Sequence, residues 1–136
     1  KINKMIYLFN KKNKKNSKTF HSLGRVDYFS MLKNVDAVVG NSSSGLLEAP
    51  SFKIATINIG DRQMGRIKSQ SVIDCNSSYS SIKKALKRIY TKDFKKKIKL
   101  CKNPYDFGDT SRNIFKILSK RKIPNNTKKT FFDLSF

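Results

Sequence analysis

Apolar positions along this chain fall into short runs separated by polar, lysine-rich stretches. Met5-Ile6-Tyr7-Leu8-Phe9 is compact and β-prone and predicts a strand. Asn10 to Lys18 is polar and predicts a loop, and Thr19-Phe20-His21 a brief strand. From Arg25 to Asn34 the apolar residues Tyr28, Phe29, Met31 and Leu32 fit an amphipathic helix, with Asp27 near the start where a carboxylate suits the helix dipole. Val35 to Val39 is almost entirely apolar, as in a strand buried on both faces of a parallel sheet. The loop Gly40 to Ser44 leads into a short helix from about Gly45 to Ala49, stopped at Pro50. Ile54 to Ile59 is another strand, Gly60 to Gln70 a polar loop, and Ser71 to Cys75 a further short strand.

Helical spacing returns after that. Ser77 to Tyr90 places Ile82, Leu86 and Ile89 on one face, with Ser80 or Ser81 as cap. Asp93 to Leu100 is a second, very basic helix. A turn-rich loop follows from Asn103 to Asp109, and Thr110 or Ser111 caps a last helix to about Lys120, with Ile114, Ile117 and Leu118 inward. Pro124 opens a polar tail that ends in Phe131-Phe132-Asp133-Leu134-Ser135-Phe136. The order β-α-β-α-β-β-α-α predicts the α/β class: a parallel sheet with helices on both faces. Such sheets bind ligands beyond the carboxyl ends of their strands, so Gly40–Gly45 and Asp61–Arg66 should share one rim.

Composition changes this picture little. At 136 residues the chain supports one core. Thirty Lys and Arg against nine Asp and Glu give a net charge of +21. One reading is a binder of nucleic acid or anionic membrane. The plainer reading is a biased composition at tolerant surface positions, because Lys far outnumbers the Arg that base and phosphate recognition favours. The basic segment Lys83 to Lys102 has no nucleic-acid-recognition spacing and reads as a solvated helix pair. No run of about 18 apolar residues is present, so no membrane span is expected. Cys75 and Cys101 form no CxxC pair, and free thiols without a metal site are expected. No signal peptide is visible, and a cytoplasmic location is expected.

The chemistry concentrates in Gly40-Asn41-Ser42-Ser43-Ser44-Gly45-Leu46-Leu47-Glu48-Ala49-Pro50. Glycines permit close approach of a ligand, serine hydroxyls and successive N–H groups can converge on an anion, and a helix start points the same way. Phosphate or diphosphate suits these donors. Glu48 suits the vicinal hydroxyls of a ribose. A plain capped loop with a solvated glutamate is the alternative. Gly60-Asp61-Arg62-Gln63-Met64-Gly65-Arg66 adds two arginines and a glutamine as a second anion contact, or simply a basic loop. His21, the only histidine, reads as structural, and no nucleophile–base set or carboxylate pair stands out.

Several stretches together resemble the UDP-N-acetylglucosamine 2-epimerase family, its hydrolysing, N-acetylmannosamine-forming branch most of all. They are Ser22-Leu23-Gly24-Arg25, the Gly40–Phe52 stretch, Asn58–Arg66, Ser71–Cys75, and Asn103-Pro104-Tyr105 with Gly108 and Thr110–Ile114, in order over roughly residues 5 to 122. The resemblance implies a Rossmann-like lobe, the C-terminal of the two in a GT-B architecture, spanning residues 1–122 with a tail at 123–136. It implies that Ser42 and Ser43 hold the diphosphate of UDP, Glu48 the ribose, and Arg62, with Gln63 and Arg66 of the same motif, further parts of the nucleotide. No catalytic residue carries over, since the family's acid, base and histidine lie upstream; His21 does not take that position. No cofactor and no metal are implied. The implied partners are UDP or a UDP-N-acetylhexosamine, the missing N-terminal lobe and, as an option, a second copy in a homodimer; no specific nucleic acid and no membrane are expected. In that family UDP is eliminated to give a glycal, which then adds water, so a lone lobe should bind UDP weakly and catalyse nothing. A related lobe acting on a modified hexosamine, a basic nucleic-acid-binding module and an inactive truncated frame are the alternatives. One departure is Asp106-Phe107-Gly108 where the family carries Gly-Asp-Gly, which questions that loop's geometry.

Overall fold

The computed structural model describes residues 1–122 and Lys128. The tail from Pro124 to Phe136, apart from Lys128, lies outside the described residues, and so does the apolar ending expected there. The chain comprises two compact units, Lys1–Asp106 and Phe107–Phe136.

The first unit is built on a three-stranded parallel sheet in the order β1-β2-β3: β1 (Ala37–Gly40), β2 (Ala55–Ile59) and β3 (Val72–Cys75). Ala37 pairs with Ala55 and Thr56 with Val72. Helices α1 (Ile2–Lys12) and α2 (Gly24–Leu32) precede the sheet. Between β1 and β2 lie α3 (Ser44–Leu47) and a 3₁₀ turn (Ala49–Phe52). Helices α4 (Tyr79–Ile89) and α5 (Lys92–Leu100) follow β3. The α/β, Rossmann-like class read from the sequence is therefore the observed one.

Alternation along β2 divides the two faces. Ala55 and Ile57 point to one side, where with Ile73 they meet Ala85, Ile89, Phe94 and Ile98 of α4 and α5. Thr56 and Asn58 point to the other side. There Leu32, Ala49 and Ile54 pack with Tyr28, Phe29, Val38 and Phe52, joining α2 and the 3₁₀ turn. The expected helix pair is present, but the cap of the first helix lies two or three residues before the serines expected: the Ser78 hydroxyl accepts from the Ser81 amide, and on the second helix the Thr91 hydroxyl accepts from the Phe94 amide.

Several local readings are corrected. Met5–Phe9 is not a strand but the middle of α1, which continues through Lys12 into what read as loop. A five-residue apolar run fits either period, and here Ile2, Met5, Ile6 and Phe9 fall at helical spacing. A helix satisfies its own backbone, whereas a strand needs a neighbour to pair with. Thr19–His21 forms no ladder for the same reason. In the second unit, the N-cap position of α6 (Thr110–Lys120) is Asp109 and not Thr110 or Ser111; it makes no side-chain capping bond, sits at φ +34° and pairs with Arg112 at 3.3 Å. Its Ile114, Ile117 and Leu118 are all exposed, not inward. Asp106 does not adopt positive φ, so glycine's freedom is used at Gly108 and not at Asp106.

Candidate functional site

β1 ends at Gly40, and the chain turns through Asn41, Ser42 and Ser43 into α3. This helix is only four residues long, shorter than the sequence suggested, so its dipole is small. The useful feature is the backbone itself. Every carbonyl from Asn41 to Gly45 accepts a hydrogen bond: Asn41 from Gln63 Nε2 (2.7 Å), Ser42 from the Gly45 amide, Ser43 from those of Leu46 and Leu47, Ser44 from that of Glu48, and Gly45 from Thr56 Oγ1 (2.7 Å). The N–H groups of Asn41, Ser42 and Ser43 have no partner among the described residues. Acceptors already engaged and donors left free are what an anion requires of a loop.

Gly45 is fixed by space, not by torsion. A Cβ there would stand 2.5 Å from Thr56 Cγ2, so α3 lies on β2 at a distance only glycine allows. Asn103 braces the far end of α3, donating to Leu47 O at 2.8 Å and to Ser51 Oγ at 2.7 Å. Tyr28 of α2 bonds Ser44 Oγ from the other side. The Ser43 hydroxyl has no partner among the described residues, and Ser42 Oγ accepts from the Ser44 amide at 3.4 Å. Glu48 Oε2 is buried without a hydrogen-bond partner. A buried, orphan carboxylate oxygen is an acceptor awaiting a donor.

The second loop follows β2 and meets the first through Gln63. The Met64 amide bonds Asp61 O at 2.7 Å, and Gly65 at φ +77° reverses the chain before Arg66. Arg62 and Arg66 are exposed and pair with no carboxylate among the described residues. Gln63 between them is 2% exposed, with its Oε1 buried and unpartnered. Tyr105 OH donates to Ile67 O at 3.0 Å and Ser69 Oγ to Lys102 O at 3.0 Å, so the segment around Asn103-Pro104-Tyr105 braces this loop as well as α3. The two loops do meet at one rim, as the strand order required.

Beside Tyr28 a cavity of about 400 Å³ is lined by Phe20, Ser22, Leu23 and Gly24. Beneath the second loop, Lys68 grips both oxygens of Asp74 at 2.9 Å while Asn58 donates to Asp74 Oδ1 at 2.7 Å. Burial works to raise the Asp74 pKa, but the bonds from Asn58 and Lys68 and the Lys68 charge outweigh it and hold the carboxyl below its ordinary value. Burial, then the Asp74 charge, pushes the Cys75 thiol up. His21 is exposed and lines a different cavity with Tyr7 and Phe20. No group of metal-ligating side chains occurs among the described residues.

Sequence reading did not find Tyr28, Thr56, Asn103 and Tyr105 as supports of the site. Asn103 and Tyr105 were visible within a motif, but an uncharged side chain bonding a distant carbonyl leaves no periodic signal.

The sequence profile of UDP-N-acetylglucosamine 2-epimerases matches residues 1–119. A GDP/UDP-N,N'-diacetylbacillosamine 2-epimerase (hydrolyzing) of Campylobacter jejuni is 42% identical over 94 residues, which cover 69% of this chain and 24% of that protein. Polysialic acid biosynthesis protein P7 of Escherichia coli is 38% identical over 114 residues, 83% of this chain and 29% of the relative. A UDP-N,N'-diacetylbacillosamine 2-epimerase (hydrolyzing) of Legionella pneumophila is 38% identical over 96 residues, 71% of this chain and 24% of its own length. The chain thus spans about a quarter of the length of these curated relatives. Profile and relatives agree with the order of motifs and with the parallel sheet: the chain belongs to the UDP-N-acetylglucosamine 2-epimerase family.

Proposed function

We propose that this chain is the UDP-binding lobe of a hydrolysing nucleotide-sugar 2-epimerase, completed by a second lobe in a GT-B arrangement. The observation that carries the reading is a run of three successive free amides, Asn41 to Ser43, followed within the same short segment by a buried carboxylate oxygen of Glu48 that lacks a donor. Ser42 and Ser43 with those amides hold the diphosphate. Glu48 accepts from the ribose hydroxyls. Arg62 and Arg66 neutralise phosphate charge from the second loop, and Gln63 belongs to the same site. The cavity lined by Phe20, Leu23 and Tyr28 has room for the base beside Ser44. In the reaction, UDP would be the leaving group, and fixed amides would stabilise the charge that develops on its β-phosphate. Acid and base groups come from the other lobe, so this lobe by itself binds and does not turn over. The hexosamine of the parent reaction is UDP-N-acetylglucosamine, giving N-acetylmannosamine and UDP.

A second reading changes only the sugar. Two of the relatives are named for N,N'-diacetylbacillosamine, which favours a modified hexosamine. Both readings place the nucleotide identically.

Calorimetric titration of the 136-residue chain with UDP tests the common part. Saturable binding is expected, weakened about tenfold or more by Arg62→Ala and by Glu48→Ala, since each removes a charge-assisted contact of about 1.5–3 kcal/mol. Affinity indifferent to both changes in folded proteins would refute the site. Product analysis with both UDP-sugars on a two-lobed protein carrying this lobe separates the substrates.

A further inference from the structure

Gln63 lies between two exposed arginines, yet its own side chain is 2% exposed and faces inward. Its Nε2 donates to Asn41 O at 2.7 Å, the one hydrogen bond among the described residues that runs directly from the second loop to the first. The geometry of the peptide gives that bond a consequence. Asn41 C=O and Ser42 N–H belong to one planar trans unit and point in opposite directions. Holding the carbonyl toward Gln63 therefore fixes the Ser42 amide on the opposite side, away from Gln63, and that amide, like those of Asn41 and Ser43, has no partner among the described residues. The same side chain ties this peptide to the turn that carries Arg62 and Arg66, closed by Met64 N–H to Asp61 O and the Gly65 bend.

We infer that Gln63 is a positioning residue: it sets the orientation of the Asn41–Ser42 peptide and locks the arginine loop to the amide loop, and it need not touch the nucleotide. The inference rests on the reading of this rim as a nucleotide site. It predicts that the loop changes in the ligand-free protein when the amide donor is lost, which a residue acting only by contact with ligand would not produce.

Gln63→Glu is nearly isosteric. Ionised, it has no N–H to give and faces the Asn41 carbonyl with like charge. Protonated, it regains a donor, and burial raises the pH at which it does so. Amide ¹H–¹⁵N spectra of the unliganded chain are recorded for wild type and variant at pH 8 and pH 5.5, with UDP titrations under the same conditions. At pH 8 the Ser42 and Ser43 resonances should move and exchange faster, and UDP affinity relative to wild type should fall about five- to tenfold, the loss of one hydrogen bond. At pH 5.5 both differences should shrink. Gln63→Met, which removes the donor without adding charge, should show the loss at both pH values, and it decides the matter if the glutamate variant does not fold at pH 8. Unliganded loop resonances identical to wild type in the folded variants would overturn the inference, whatever happens to affinity. If wild type fails to bind UDP while the loop responds as described, the nucleotide reading falls and the positioning role stands.

Discussion

The contact between Gly45 and Thr56 permits a quantitative test. An alanine at position 45 would put its Cβ 2.5 Å from Thr56 Cγ2, 3.4 Å from Oγ1 and 3.6 Å from Cβ. The clash cannot be relieved cheaply. Thr56 is 2% exposed, its hydroxyl is engaged with Gly45 O at 2.7 Å, and rotating χ1 to withdraw the methyl would break that bond. Overpacking of this kind costs about 1–3 kcal/mol. Replacing glycine within a helix returns about 0.5–1 kcal/mol. A net loss of about 1–2 kcal/mol is expected. With a urea m-value near 2 kcal/mol/M, the midpoint of unfolding should fall by about 0.5–1 M. Thr56→Ser removes the offending methyl and keeps the hydroxyl, so the double variant should recover most of the loss, with a coupling energy of about 1 kcal/mol or more. Additive effects of the two substitutions, or an alanine variant as stable as wild type, would refute the close approach of α3 to β2 and with it the described placement of the amide loop.

Two further outcomes follow from the pair beside β3. The Asp74 carboxyl is held below its ordinary value in the fold, so its charge stabilises the protein above the unfolded value near 4, and that contribution is lost as pH falls through the folded value. Asp74→Asn should thus cost stability at pH 7, and the difference should close below about pH 3. Because the side chain is half exposed, the cost should stay within about 1 kcal/mol and shrink in high salt; a difference constant from pH 3 to pH 7 would exclude the charge as its origin. Cys75, pushed up first by burial and then by Asp74, should alkylate at pH 8 more slowly in the folded chain than in urea, and faster after Asp74→Asn. Mass mapping separates it from Cys101, and equal folded and unfolded rates would contradict the burial.

Legibility differed by element for physical reasons. β2 and the helix pair α4–α5 were readable as elements because their apolar residues recur at the period of each, and Ile89 lies in the core as read. The buried face of α4 is nevertheless set by Ala85 with Ile89, while Leu86, read as part of that face, is 40% exposed. The amide loop was readable because glycine and serine in that order have few structural uses. Met5–Phe9 was not, since five apolar residues in a row carry both periods and only the available pairing partners decide between them. Gln63 was legible as a member of a motif but not as a buried one, because its neighbours Arg62 and Arg66 face solvent and nothing local signals that the residue between them turns inward. Thr56 and Asn58 looked like unremarkable members of a strand whose second face could have been apolar.

That second face explains why the site stands where it does. Beneath α3 and the second loop, β2 presents Thr56 and Asn58, both almost wholly buried, in place of the aliphatic residues on its other side. Burying polar side chains is unfavourable unless their hydrogen bonds are made, so these residues would be poor choices for packing. Each is engaged in holding backbone or charge: Thr56 takes the Gly45 carbonyl, and Asn58 takes Asp74, which in turn holds Lys68 of the second loop. Gln63 and Asn103 do the same from outside the sheet for Asn41 and Leu47. A loop whose carbonyls are all engaged holds its amides in place, and under the proposed function it would not have to reorganise to take an anion. Converting Thr56 to valine keeps volume and strand preference but releases the Gly45 carbonyl. The polar face therefore contributes less to the stability of the sheet than an aliphatic one would, and its contribution is to the fixed direction of the amides that precede α3.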